Sequence, residues 1–139
     1  MLEKRFGQIS MEYLIVMGFI FAMLIPLLVI FIQQSDGLEE SVALSTASKI
    51  SKEIIDVSES IYYKGPPSKT TIKVYFPKRI ESVNISHNDI NMVLTGYKGS
   101  THLISYPSYV NISGTIKSFS GTHNIEIQAM EGYVSITDT

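Results

Sequence analysis

The 139-residue chain contains no cysteine and no tryptophan, and only 17% of its residues are charged. Without cysteine, neither a disulfide framework nor a thiolate metal site can hold the fold. The formal net charge is −2, and the sequence lacks the clustered Lys and Arg that nucleic-acid binding requires. We therefore expect no nucleic-acid partner, and one small domain rather than a multi-domain enzyme.

The most prominent feature that is present is a nineteen-residue apolar run at positions 14–32. As a helix rising about 1.5 Å per residue, it would cross a hydrocarbon core of roughly 30 Å. A secretory signal peptide is the alternative interpretation, but its apolar region is usually about 7–15 residues and ends at a small-residue cleavage site. This run continues into Gln33 and Gln34 without such a site, so we predict a membrane helix that is not removed.

Charges on the two sides of the run predict its orientation. Lys4 and Arg5 precede it and three carboxylates follow it, which places the N-terminus in the cytoplasm and the rest of the chain outside. Two N-x-S sequons lie in that outer part, and they make Asn84 and Asn111 candidate N-glycosylation sites.

The segment KRFGQISMEYL stands at residues 4–14, where the apolar run begins. It resembles the class III signal peptide of archaeal type IV pilin-like proteins, in which a short charged leader precedes Q-x-S-x-E and then a hydrophobic helix. Gln8, Ser10 and Glu12 supply that motif. The resemblance covers roughly the first quarter of the chain, and it implies that a prepilin peptidase cleaves between Gly7 and Gln8 from the cytoplasmic side.

The resemblance also implies a function: a structural subunit, major or minor, of a type IV pilus-like surface filament that serves adhesion. Its partners would be other copies of the subunit, the prepilin peptidase, the pilus assembly ATPase and the membrane platform. Ser10 and Glu12 would act in peptidase recognition and assembly, with Glu12 meeting the new amino terminus of a neighbour. A carboxylate at the edge of a membrane helix otherwise needs an interfacial position, protonation or a partner.

A different class of protein is also consistent with the sequence. A single-pass membrane protein could keep its β domain at the cell surface to bind an extracellular ligand or an envelope partner. That chain would stay uncleaved and would be found in membranes rather than in filaments.

After the run, apolar side chains recur every three or four residues at positions 38, 42, 43, 47, 50, 54, 57 and 61. This period predicts that the helix continues as an amphipathic one. We predict a single helix from about Gln8 to Tyr62, bent near Pro26 or Gly37, that ends at the Gly65-Pro66-Pro67 segment. Its polar face carries carboxylates that we expect to be solvated: Glu39, Glu40, Glu53, Asp56 and Glu59.

Beyond residue 65 the apolar period changes to two, which predicts strands at 71–76, 83–85, 90–94, 103–106, 110–116, 125–129 and 133–136. The predicted fold class is α+β: a long N-terminal hydrophobic helix, type IV pilin-like, followed by a small antiparallel β-sheet or sandwich packed on the helix. The predicted divisions are a leader at 1–7, an assembly helix at 8–37, its amphipathic continuation at 38–64 and an extracellular β-rich domain at 65–139.

No pattern in the sequence predicts catalysis. His87, His102 and His123 lack metal-ligand spacing, so we expect surface or turn histidines, no metal site and no cofactor. There is no G-x-S-x-G elbow, and residues 96–99 lack the spacing of a phosphate loop. The sequence has eight tyrosines, which could contribute to adhesion or to subunit contacts, although such residues more often line an edge of the core; they include Tyr62, Tyr63, Tyr106 and Tyr109.

Overall fold

The structure is a computed structural model that describes residues 3–86 and 88–139, with side chains described for residues 10–35, 37–86 and 88–139. It divides into two compact units, Met1–Leu38 and Glu39–Thr139, called here the N-terminal unit and the C-terminal unit. The first two residues of the predicted leader and His87 lie outside the described residues.

One helix, α1 (Glu3–Lys64), supplies residues to both units. It begins five residues before the predicted start at Gln8, and it continues through Pro26 and Gly37. It ends where the sequence predicts. Gly65 adopts a φ of +77°, which glycine reaches without steric cost, and the two prolines that follow cannot extend a helix.

Seven strands lie in the described part of the C-terminal unit, and every predicted strand segment overlaps one of them. They are β1 (Lys69–Phe76), β2 (Ile80–Ser86), β3 (Asp89–Thr95), β4 (Thr101–Pro107), β5 (Ile112–Thr115), β6 (Gly121–Ala129) and β7 (Val134–Asp138). They form a four-stranded sheet in the order β1-β6-β7-β5 and a three-stranded sheet in the order β2-β3-β4. A long apolar helix followed by antiparallel-rich sheets makes the fold α+β.

The expectation of a purely antiparallel sheet is wrong at one pairing. β5 runs parallel to β7, with Ile112 opposite Val134 and Thr115 opposite Thr137, whereas the other described pairings are antiparallel. Alternation of apolar and polar residues reports which face a side chain takes, but it does not report the direction of the neighbouring strand.

The core of the C-terminal unit joins α1 to both sheets. Ile54 of α1 is fully buried together with Phe76 and Ile127 of the four-stranded sheet and Ile90 and Met92 of the three-stranded sheet. Burial of each such side chain stabilises the fold by about 1.5–3 kcal/mol. The helix and the two sheets therefore depend on one another for stability.

The buried face of α1 departs from the predicted stripe at its first turns. Leu38 and Val42 are 67% and 64% exposed, although their spacing placed them on the apolar face. Ser51 and Ser58 are buried instead, and their hydroxyls donate to carbonyl oxygens four residues earlier at 3.0 and 2.7 Å. These hydrogen bonds satisfy the buried hydroxyls. The buried face of α1 can therefore include two serines among its apolar side chains.

Each sheet has two edge strands, β1 and β5 in the four-stranded sheet and β2 and β4 in the three-stranded sheet. β2 and β5 lie next to each other where the two sheets meet. On the opposite side, Leu44 of α1 lines a groove with Ile104 of β4, and Ala43 of α1 lines another with Tyr75 of β1. β1 and β4 therefore each border a groove beside α1.

Candidate functional site

The residues of the sequence motif lie in the N-terminal unit. Gly7 and Gln8 belong to α1, and their side chains are outside the described residues. Ser10 and Glu12 are exposed. Both side chains are therefore accessible to another molecule.

Apolar side chains surround this part of α1 on all sides. Within residues 11–32, the exposed fractions of the large apolar side chains run from 43% at Ile20 to 72% at Phe31, apart from the half-buried Met17. By length and composition the helix could cross a membrane, and none of its most apolar 18-residue window is buried. A helix that is apolar all round requires lipid or other protein around it.

A polar cluster in the C-terminal unit connects α1 to the turn between β3 and β4. His102 Nε2 lies 2.5 Å from Glu40 Oε1, and the Tyr97 N–H donates to Glu40 Oε2 at 2.8 Å. Ser100 Oγ lies 3.3 Å from the same His102 nitrogen. We call this cluster, formed by Glu40, Tyr97, Ser100 and His102, the Glu40 latch.

The electrostatics of the latch favour an ionised Glu40. The hydrogen bond from the Tyr97 N–H is the largest cause that lowers the pKa of Glu40 below its ordinary value of 4.5. Partial burial acts in the opposite direction, while the hydrogen bond and charge of His102 and the charge of Arg79 lower the pKa further. The latch is therefore a charge-assisted contact that depends on ionised Glu40.

Gly96 lies against the latch and leaves room for it. A Cβ atom at this position would lie 2.3 Å from Ser100 Oγ, 2.6 Å from Glu40 Oε1 and 2.7 Å from His102 Nε2. Its φ of −83° and ψ of −174° are open to any residue. Gly96 is therefore required for space rather than for backbone conformation.

A Ser-His-Glu cluster invites comparison with a hydrolase triad, but the geometry differs. In a triad the serine and the carboxylate contact different nitrogens of the histidine, whereas Ser100 and Glu40 both contact Nε2 of His102. Ser100 Oγ already donates to the Tyr97 carbonyl at 3.1 Å. The cluster therefore lacks the relative placement of serine, histidine and carboxylate that a triad has.

Two more carboxylates that we expected to be solvated make specific contacts. Glu39 lies 3.7 Å from the guanidinium of Arg79 in the turn between β1 and β2. Glu59 Oε1 accepts the N–H of Tyr109, in the loop between β4 and β5, at 3.0 Å. With Glu40 they connect α1 to three loops. Glu40 and Glu59 are half-buried, so the expectation of a solvated face is wrong for these two residues, whereas the Glu39 side chain is 57% exposed and fits that expectation.

His123 is buried, contrary to the expectation of a surface histidine. Its Nδ1 lies 2.6 Å from Asp138 Oδ2 and its Nε2 lies 2.9 Å from the Phe119 carbonyl oxygen. Each ring nitrogen therefore lies within hydrogen-bond distance of an oxygen atom. The ring also lies between Phe76 and Phe119, with centroids 4.3 and 4.1 Å away. The His123–Asp138 pair joins the start of β6 to the end of β7.

Both candidate glycosylation sites lie where the two sheets meet. Asn84 is exposed on β2, and Asn111 is exposed immediately before β5. Their sequons share a cavity of about 400 Å³, lined by Ser86 and Asn111 together with Tyr133. Both side chains are accessible to a modifying enzyme.

Sequence reasoning did not find the latch or the His123–Asp138 pair. His102 and Glu40 are 62 residues apart, and His123 and Asp138 are 15 apart, so neither pair gives a local motif. Of the described residues, no group of three or more His, Cys, Asp or Glu is placed to hold a metal ion.

Comparison with known proteins found no matching family model, no matching curated protein and no matching solved structure.

Proposed function

We propose that this chain is a structural subunit, major or minor, of an archaeal type IV pilus-like surface filament that serves adhesion. A prepilin peptidase would remove residues 1–7, and the assembly ATPase and membrane platform would move the subunit from the membrane into the filament. The observation that carries the proposal is the Q-x-S-x-E segment joined directly to an apolar helix.

The exposure of that helix supports a filament. Once extracted from lipid, side chains such as Phe19, Leu27 and Phe31, which are 63%, 64% and 72% exposed, need apolar neighbours. Burying apolar surface is worth about 25 cal/mol per Å², and packing among helices of identical subunits provides that burial. The burial of apolar surface would hold a filament core of such helices together.

Glu12 supports a specific role in assembly. Its carboxylate is exposed between Met11 and Tyr13, each of which is 62% exposed. A carboxylate in apolar surroundings requires a partner. Cleavage after Gly7 would provide one, the amino group of Gln8 on a neighbouring subunit, so pairing would favour one axial position during assembly.

The proposal also includes the orientation of the chain in the membrane and the N-glycosylation of its outer part. With its N-terminus in the cytoplasm, the chain would place the C-terminal unit outside the cell, where Asn84 and Asn111 would carry N-linked glycans. Their exposure supports modification of the folded domain.

The decisive experiment is intact-mass analysis and N-terminal sequencing of the chain from sheared surface material and from membranes of its own host. We expect a chain that begins at Gln8, or at its cyclised form, in the sheared fraction. Full-length chain found only in membranes would contradict the filament role and would favour a membrane-anchored surface protein that binds a ligand or an envelope partner.

A further inference from the structure

Residues of both N-x-S sequons line one cavity at the junction of the two sheets. The cavity has a volume of about 400 Å³. Ser86 of the first sequon lines it from β2, and Asn111 and Ser113 of the second line it from the start of β5. The turn between β6 and β7 contributes Glu131 and Tyr133. A glycan attached to Asn111 would therefore begin at the wall of this cavity.

Asn111 and Tyr133 are neighbours on adjacent strands. In the parallel pairing of β5 with β7, Ile112 is opposite Val134, so the preceding residues, Asn111 and Tyr133, are opposite each other as well. The Val134 N–H donates to the Asn111 carbonyl oxygen at 2.8 Å, which extends the pairing to this position. Paired strands lie about 4.8 Å apart. The Tyr133 ring is therefore one strand spacing away from the point where a glycan would be attached.

The two side chains lie on the same face of the sheet. Ile112 and Val134 are buried, whereas Asn111 and Tyr133 are exposed, and successive side chains of a strand point to opposite faces. The backbone at the ring is held, because the Met130 N–H donates to the Tyr133 carbonyl oxygen at 2.9 Å. An aromatic side chain on a fixed backbone loses little conformational entropy when another group packs on it.

The lining of the cavity has the chemical groups that a sugar needs. A sugar ring has C–H faces that pack on an aromatic ring, and hydroxyl groups around its edge that donate and accept hydrogen bonds. The Tyr133 ring, which is 41% exposed, offers the aromatic surface. The carboxylate of Glu131 can accept hydrogen bonds, and the hydroxyl of Ser86 can both donate and accept them. Apolar surface with a few polar groups is typical of small-ligand sites.

Asn84 has a different neighbour. Its ladder partner is Asn91 of β3, so an amide takes the place that the aromatic ring has beside Asn111. A glycan on Asn84 would lack this aromatic partner on its own ladder. The two sequons therefore provide a comparison within one chain.

We propose that the cavity binds the first sugars of an N-linked glycan on Asn111, with the innermost ring packed on Tyr133. The ligand is thus a carbohydrate that is covalently attached to the same chain. This inference rests on the N-glycosylation included in the proposed function. It adds the residues that hold the glycan, and it makes the glycan a stabilising part of the domain.

NMR of the detergent-solubilised chain from its own host tests the contact. Protons that lie over the face of an aromatic ring are shifted upfield. We expect C–H protons of the sugar on Asn111 to show this shift in the unmodified chain and in Tyr133→Phe, and to lose it in Tyr133→Ala. Tyr75→Ala is the matched control, because it removes a ring that is 60% exposed on β1, and it should leave these signals unchanged. Identical sugar signals in Tyr133→Ala and the unmodified chain would overturn the inference.

Thermal unfolding tests the stabilising effect. Tyr133→Ala should lower the thermal midpoint of the glycosylated chain by at least about 4 °C more than it lowers that of Asn111→Gln, which cannot carry the glycan. In an Asn84→Gln chain, which keeps the sequon of Asn111, Tyr133→Ala should have its full effect. Equal falls with and without the Asn111 glycan, or an intact mass that shows no glycan on Asn111, would overturn the inference. Both results leave the filament function standing, because that function is tested by a chain that begins at Gln8 in sheared material.

Discussion

His102 Nε2 and Glu40 Oε1 lie 2.5 Å apart although 62 residues separate them in the chain. Glu40 comes eight residues after the apolar run, and His102 lies on β4. Their contact, with the Tyr97 N–H on the other carboxylate oxygen, fixes the beginning of the second half of α1 against the three-stranded sheet.

The latch predicts a pH dependence of stability. The pKa of Glu40 is lower in the folded chain than its ordinary value of 4.5, so the latch contributes stability above about pH 4.5 and loses it as the pH falls through the folded pKa. We expect the thermal midpoint of the detergent-solubilised chain to fall in this acid range, and Glu40→Gln to reduce that fall. Gly96→Ala should act in the same way, because its methyl group would displace the latch side chains. An unchanged acid profile in both variants would contradict this role.

The parallel pairing of β5 with β7 depends on Gly114. Its φ is +154°, and a Cβ atom here would lie 1.8 Å from the Ile136 carbonyl oxygen, a backbone atom that cannot move aside. Gly114→Ala should lower the free energy of unfolding by about 3 kcal/mol, measured by chemical denaturation. Gly132→Ala is the matched control, since its φ is also positive but no atom lies within 4 Å. Equal losses of stability in the two variants would contradict a role for the close approach of Ile136, because the two glycines share only the positive φ.

The His123–Asp138 pair should be a strong stability determinant. His123→Phe retains an aromatic ring between Phe76 and Phe119, but it removes both ring nitrogens and leaves a carboxylate that is 3% exposed without its histidine partner. We expect a loss of about 3 kcal/mol in the free energy of unfolding. Adding Asp138→Leu should recover part of it, because the buried carboxylate that has lost its histidine partner is gone, while the Lys117 N–H loses its acceptor. If the double variant is no more stable than His123→Phe, loss of the His123–Asp138 pair does not explain the lower free energy of unfolding.

Processing should depend on the size of the side chain at position 7. Gly7→Val should block removal of the leader, because a branched side chain does not fit a peptidase site shaped for glycine, and the intact mass would then include residues 1–7. Gly18→Val is the matched control, since Gly18 lies outside the motif and has open space around it. Normal trimming of Gly7→Val would place the cleavage site elsewhere.

Assembly should depend on Glu12 separately from processing. Glu12→Ala removes the carboxylate that we expect to meet the amino group of Gln8, so filaments should become scarce while the leader is still removed. Electron microscopy counts filaments, and intact mass reports cleavage. Glu53→Ala, an exposed carboxylate elsewhere on α1, should change neither; wild-type filament numbers in Glu12→Ala would refute the pairing.

Local patterns predicted the elements of this fold well, and contacts between distant residues were not predictable. The alternation of Ile72, Val74 and Phe76 predicts β1, and Gly65 with its prolines predicts the end of α1, because these effects act within a few residues. The latch and the parallel partner of β5 depend on loops that bring distant segments together. Glu40 and Glu59 look like ordinary surface carboxylates in sequence, since nothing local shows which backbone N–H each will accept.

The position of β7 has a consequence for the order of folding. β7 comes after the other six strands in the chain, yet it lies inside the four-stranded sheet, between β6 and β5. β5 therefore has no ladder partner in that sheet until residues 134–138 have been synthesised. If the domain is exported as it is made, its first six strands reach the far side of the membrane before β7 can insert between β6 and β5. During that interval, protection against proteases and against pairing with other chains would have to come from outside the domain.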